Sequence, residues 1–109
     1  MLEDEPIIGF ALEDMLLAIG FQQVELTTTL EAACLALDSA AFDVAILDVN
    51  IHGQRSYPVA ALLQAQNVPI VFATGYGDAE HPEELRSVPT VTKPYSLAEI
   101  RRALDAAQA

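Results

Sequence analysis

Apolar residues recur along this chain in two ways, spaced three to four apart or massed in runs of four or five, and the alternation of the two patterns sets out the elements. From Ile8 through Leu12, Met15, Leu16 and Ile19 the spacing predicts an amphipathic helix, entered at Pro6 and stopped at Gly20. Ile7, Phe10 and Leu17 widen its stripe, so the helix is expected to be deeply packed, the alternative being a face offered to another chain. Val24 and Leu26 alternate with polar neighbours as a short strand, and Thr28 with Glu31 reads as a capping box for a second helix. Leu30, Ala33, Cys34, Leu37 and Ala41 form that helix's inner face. Val44 to Leu47 is too short for a helix and reads as a strand buried on both faces, ending at Asp48.

Val49 to Tyr57 reads as a loop containing Gly53, and Pro58 opens a third helix that buries Val59, Leu62, Leu63 and the stem of Gln66. A second wholly apolar strand, Pro69 to Ala73, stops at Thr74-Gly75-Tyr76-Gly77. Asp78 to Arg86 holds at best a short acidic helix, confined by His81-Pro82. Val88 to Thr92, interrupted by Pro89, suits a sheet edge and leads into Lys93-Pro94-Tyr95. Ser96 with Glu99 is a second capping box, and Leu97, Ile100, Leu104 and Ala107 line the closing helix.

Strands alternating with helices imply right-handed βαβ units and a parallel sheet covered on both faces. The strand ends of such a sheet share one rim. Glu3, Asp4, Asp48, Thr74 and Lys93 each follow directly on an apolar strand-like segment, so all are expected in one crevice. Taken singly, an Asp there often just starts a loop, a threonine is usually a turn hydroxyl and a lysine is usually solvated. Their shared position is the signal.

Three neighbouring carboxylates repel one another and need a cation. Glu3, Asp4 and Asp48, with the backbone carbonyl of Asn50, offer the oxygen ligands that Mg²⁺ prefers. Asp48 is the candidate nucleophile for a phosphoryl group, whose oxygens Lys93 and the Thr74 hydroxyl would contact.

Composition narrows the partners. A chain of 109 residues, 52% of them apolar, makes one domain with one core, so residues 1–109 must carry the function without an output domain. A net charge of -11 with only 5 Lys and Arg argues against nucleic acid and anionic membranes. Cys34 reads as a core thiol, in keeping with a reducing compartment, and neither a membrane span nor a signal peptide is visible, so a cytoplasmic location is expected. His52 and His81 are too few and too separated for a transition-metal site and read as exposed loop residues, while Arg101-Arg102 reads as a solvated face.

The acidic pair in Leu2-Glu3-Asp4-Glu5-Pro6, the motif Ile46-Leu47-Asp48-Val49-Asn50, then Thr74, then Lys93-Pro94-Tyr95 together resemble the receiver domain of a two-component response regulator over essentially the whole chain. Phe72-Ala73-Thr74-Gly75-Tyr76-Gly77 is similar to a subgroup of bacterial receivers, many of them free-standing. The resemblance implies a flavodoxin-like, doubly wound α/β fold with a five-stranded parallel sheet in the order 2-1-3-4-5. It also implies phosphorylation of Asp48 by a histidine kinase or histidine phosphotransfer protein, dependence on Mg²⁺, and a shift of the fourth-strand to fifth-helix face that a downstream protein reads. Such a domain is a phosphoacceptor rather than an enzyme, though it can catalyse its own phosphorylation and dephosphorylation.

Two positions depart from that pattern. Only Met1 and Leu2 stand where the family has an apolar first strand of about five residues, a truncation expected to leave backbone groups unpaired. Either the natural chain begins upstream, or the short form dimerises or rearranges its acidic pocket. Thr90 stands where the family often has a switching aromatic, so Tyr76 or Tyr95 is the candidate moving ring, with static packing as the alternative. Two other functions are carried alongside: an interaction module that keeps the fold without phosphorylation, and a phosphatase of the haloacid-dehalogenase type. The phosphatase needs a general acid where Asn50 stands.

Overall fold

The computed structural model describes residues 1–74, 82, 85, 87–93 and 96–108. Its element order is α1 (Pro6–Ile19), α2 (Leu30–Ser39), β1 (Ala45–Asp48), β2 (Asn50–Ile51), β3 (Gln54–Arg55), α3 (Tyr57–Ala65), β4 (Ile70–Thr74), β5 (Thr90–Thr92) and α4 (Leu97–Gln108). Strands β1, β4 and β5 form a parallel sheet in that order, with Asp48 in register with Ala73 and Thr74 with Thr92. The chain is an α/β domain, with four helices among the described residues.

The short amino-terminal segment is sewn into this sheet. Leu2 bridges both Thr27 and Leu47 in parallel sense. Its N–H donates to Ile46 O at 2.9 Å and its carbonyl accepts from Asp48 N at 2.9 Å. On the other flank Thr27 N donates to Met1 O at 2.8 Å, and Glu3 N donates to Thr27 O at 3.0 Å. These bonds pair the backbone of the residues present in this segment on both flanks. The strand expected at Val24 and Leu26 is reduced to the bridge at Thr27.

Side chains alternate across the sheet as its pleat requires. Ala45, Leu47, Ile70 and Phe72 pack with Ala33 of α2 and with Val59, Ala60 and Leu63 of α3. Ile46, Val71, Ala73 and Val91 pack on the opposite face with Leu12 and Leu16 of α1 and Ile100, Ala103 and Leu104 of α4. Burial on both faces accounts for the unbroken apolar runs of β1 and β4.

Helix boundaries follow local chemistry. Gly20, at φ 127°, closes α1 by donating to Leu16 O and Leu17 O, both at 3.2 Å. The cap of α2 is Thr29 rather than Thr28: its hydroxyl accepts from Ala32 N at 3.1 Å, and Glu31 therefore falls inside the first turn. At α4 the capping box forms as expected, with Ser96 N donating to Glu99 Oε1 at 3.1 Å and Glu99 N to Ser96 Oγ at 3.2 Å.

Other expectations need correction. Ile7, Phe10 and Leu17 of α1 are 84%, 59% and 46% exposed rather than deeply packed, because they lie on the side turned from the sheet. Leu62, Gln66 and Ala41 are exposed, and the fully buried Ala60 takes the place expected for Leu62. The last strand is Thr90–Thr92, shorter than Val88 to Thr92. The stretch expected as a loop after Asp48 contains the hairpin β2-β3, pairing Asn50 with Arg55 and Ile51 with Gln54. Of the segment Asp78 to Arg86 only Pro82 and Leu85 are described, and Leu85 N donates to Pro82 O at 2.8 Å.

Gly9, buried in α1, lies where the helix passes close to its neighbours. A Cβ there would stand 3.1 Å from both Leu26 methyl carbons and 3.7 Å from Glu3 Cγ. No helix among the described residues is long and apolar enough to cross a membrane.

Candidate functional site

The parallel register brings the carboxyl ends of β1, β4 and β5 to one rim, and the amino-terminal stub delivers its acids to the same place. Ligating oxygens of Glu3, Asp4 and Asp48 all lie within 4.8 Å of one another. Glu3 and Asp48 are buried, with Glu3 only 2% exposed, and Asp4 is half-buried. The acid pair that the short first segment put in question thus reaches Asp48.

Lys93 enters from the end of β5, where its N–H donates to Thr74 O at 2.7 Å. Its ammonium lies 2.7 Å from Glu3 Oε1 and 2.8 Å from Asp48 Oδ2. Thr74, buried at the end of β4, is one residue beyond the register partner of Asp48. Asn50 N donates to Asp48 Oδ1 at 3.3 Å, which places Asn50 against the same carboxylate. All six expected positions therefore stand on or beside one rim.

Charge in this crevice is unbalanced. Burial raises the Glu3 carboxyl to about 7; the hydrogen bond from Lys93 opposes the rise, and nearby Asp48 reinforces it. Burial also works against the Lys93 ammonium, but its bonds to Asp48 and Glu3 outweigh that effect and hold its pKa above the ordinary lysine value. For Asp4, burial pushes upward, while the His52 N–H at 3.0 Å and the Glu3 side chain win and hold it low. Three carboxylates facing one ammonium make a strongly cation-favouring pocket, and its donors are all oxygens. That donor set fits Mg²⁺, which Glu3, Asp4 and Asp48 would hold.

His52 is a functional-site neighbour that sequence reasoning missed. It is exposed, as expected of a loop residue, yet it contacts both Asp4 and the Thr28 carbonyl. Only the adjacent Gly53, at φ 80°, hinted at the tight turn that brings it there. Arg101 and Arg102 are exposed, as expected for a solvated face, and Cys34 packs partly buried against the core. Tyr76, His81 and Tyr95, with Gly75, Gly77 and Pro94, lie outside the described residues.

A profile of the response regulator receiver domain matches residues 1–105. The chain belongs to the receiver domain family. Receivers of this family are phosphoacceptors rather than enzymes. Among solved structures, this receiver is similar to SdrG from Sphingomonas melonis Fr1, at 37% identity and a TM-score of 0.88, covering 99% of this chain and 92% of that one. The BeF3-activated conformation of SdrG, from Pseudomonas melonis Fr1, matches at the same identity with a TM-score of 0.83 and the same coverages of 99% and 92%. The receiver domain of the PhyR response regulator from Erythrobacter litoralis matches at 25% identity and a TM-score of 0.81, covering 99% of this chain and 86% of that one. No curated protein sequence matches this receiver.

Proposed function

We propose that this receiver accepts a phosphoryl group on Asp48 in a Mg²⁺-dependent reaction and signals by protein contact as a stand-alone regulator in the cytoplasm. The donor is a phosphohistidine of a histidine kinase or phosphotransfer protein. One observation carries the reading: the partly buried Lys93 ammonium bonds Asp48 and Glu3 together, with Asp4 alongside, at a rim reached by a parallel strand end. The contact supports the reading because it puts the Lys93 ammonium within reach of a group carried on Asp48.

In the transfer, an Asp48 oxygen forms a bond to phosphorus as the donor's nitrogen–phosphorus bond breaks, and the electron pair leaves with the imidazole. Glu3, Asp4, Asp48 and the Asn50 carbonyl would hold Mg²⁺, which when bound would neutralise the phosphoryl charge. Lys93 and the Thr74 hydroxyl take the phosphoryl oxygens, and Lys93 gives up its bond to Asp48 in doing so. A new charge of about -1.5 to -2 at this rim draws on both groups, so the ends of β4 and β5 shift together and a partner reads the altered surface. On the same reading Thr27 and Leu2 mark the first two positions across a five-stranded sheet in the order 2-1-3-4-5.

Intact-mass spectrometry after incubation with acetyl phosphate and Mg²⁺ tests this. The expected result is gain of one phosphoryl group, lost in Asp48→Asn and when the metal is chelated. An unmodified wild-type chain would leave only an interaction module, and rapid turnover of acetyl phosphate without accumulation would favour a phosphatase.

A further inference from the structure

The hairpin that follows Asp48 is too small to hold its own shape. It has two residue pairs, Asn50 with Arg55 and Ile51 with Gln54, where isolated hairpins are at best marginal in water. At its tip His52 and Gly53 stand at φ 50° and 80°, so His52 occupies left-handed backbone that residues other than glycine seldom adopt. Such a conformation persists where the surroundings over-determine it.

Those surroundings are Asp4 and Thr28. The His52 N–H donates to Asp4 Oδ2 at 3.0 Å, and ring Nε2 meets the Thr28 carbonyl oxygen at 3.2 Å. A carbonyl can only accept, so Nε2 carries the proton in this contact. Ring Nδ1 lies 4.0 Å from Asp4 Oδ2. One exposed residue thereby ties together the acid-bearing amino-terminal segment, the hairpin and the approach to α2.

We infer that His52 is a positioning residue for the cation pocket. Its ring anchors the hairpin tip on Thr28, and the tip's amide fixes the Asp4 carboxylate beside Glu3 and Asp48. The inference rests on the assignment of those three acids to Mg²⁺. Groups that orient a ligand from behind change metal affinity by roughly 10- to 100-fold when removed. A free Asp4 would have to be ordered at the moment of binding, and the ordering would subtract from affinity.

Calorimetric titration of the full chain with MgCl₂ tests the role. His52→Gly keeps the turn and its N–H but deletes the ring, and His52→Gln restores an amide N–H at the reach of Nε2. His52→Gly is expected to bind Mg²⁺ about tenfold more weakly while retaining the circular dichroism of the folded protein, and His52→Gln to recover most of that loss. In an Asp4→Asn background the His52→Gly change should cost little more, because its effect runs through Asp4. Affinity of His52→Gly within about twofold of wild type, or an undiminished loss in the Asp4→Asn background, overturns the inference and leaves the metal assignment standing. Failure of the wild-type chain to bind Mg²⁺ overturns the assignment and the inference together.

Discussion

Glu3 carries its proton to unusually high pH because burial and Asp48 outweigh the help it receives from Lys93. Its carboxyl titrates at about 7 in the folded protein against an ordinary 4.5. Between those values the folded chain holds a proton that the unfolded chain has released. The stabilising contribution is therefore complete below pH 4.5 and lost as pH rises through about 7. The separation corresponds to a contribution on the order of 3 kcal/mol. Urea unfolding across this window, without Mg²⁺, should show wild-type stability falling relative to Glu3→Gln, whose amide does not ionise. Parallel curves for the two proteins would show that Glu3 titrates normally. Lys93 has the opposite relation to its neighbours, since its folded pKa is raised and its charge is kept throughout this range.

Among the elements, β4 and α1 represent opposite kinds of apolar surface. Phe72 of β4 is fully buried and meets Tyr57 edge-on, with ring centroids 5.8 Å apart, whereas Ile7 of α1 is 84% exposed. Phe72→Ala should cost about 3–5 kcal/mol by thermal or urea unfolding, and Ile7→Lys should stay within about 0.5 kcal/mol. A large loss from Ile7→Lys would mean that its side chain is covered in solution.

This contrast also shows what the sequence could reveal. β1 and β4 were legible because an apolar run that breaks off at Asp48 or Thr74 after four or five residues is too short for a helix and fits a strand covered on both faces. The outer stripe of α1 was not, since Ile7, Phe10 and Leu17 have helical spacing whether they face the sheet or away from it. Leu62 was misplaced for the same reason, α3 turning Val59, Ala60 and Leu63 inward instead. The hairpin was hidden because two pairs of polar-flanked residues give no alternation long enough to read. At the site, each acid, Thr74 and Lys93 could be found at a strand end, but the His52 contacts depend on a turn closing across 48 residues of sequence.

At the level of the whole molecule, a net charge of -11 is spread over a body with a radius of gyration of 12.5 Å. Surface carboxylates repel one another across distances that dilute salt fails to screen, while the part-buried Lys93 pairs are screened less. Added NaCl should therefore raise the melting temperature. At matched ionic strength MgCl₂ should raise it further, because an ion bound only by the folded state adds its own binding free energy. Equal shifts in the two salts would indicate screening alone.

The missing side chain at Gly9 gives this charge distribution a mechanical side. α1 passes Leu26 and the Glu3 stem at Gly9 with no methyl between them, and Glu3 is the acid that shares Lys93 with Asp48. Even the smallest shim at this point would have to lift the helix or push Leu26 aside by a few tenths of an ångström. The seat of α1 on Leu26 thus depends on a residue that carries no chemistry of its own.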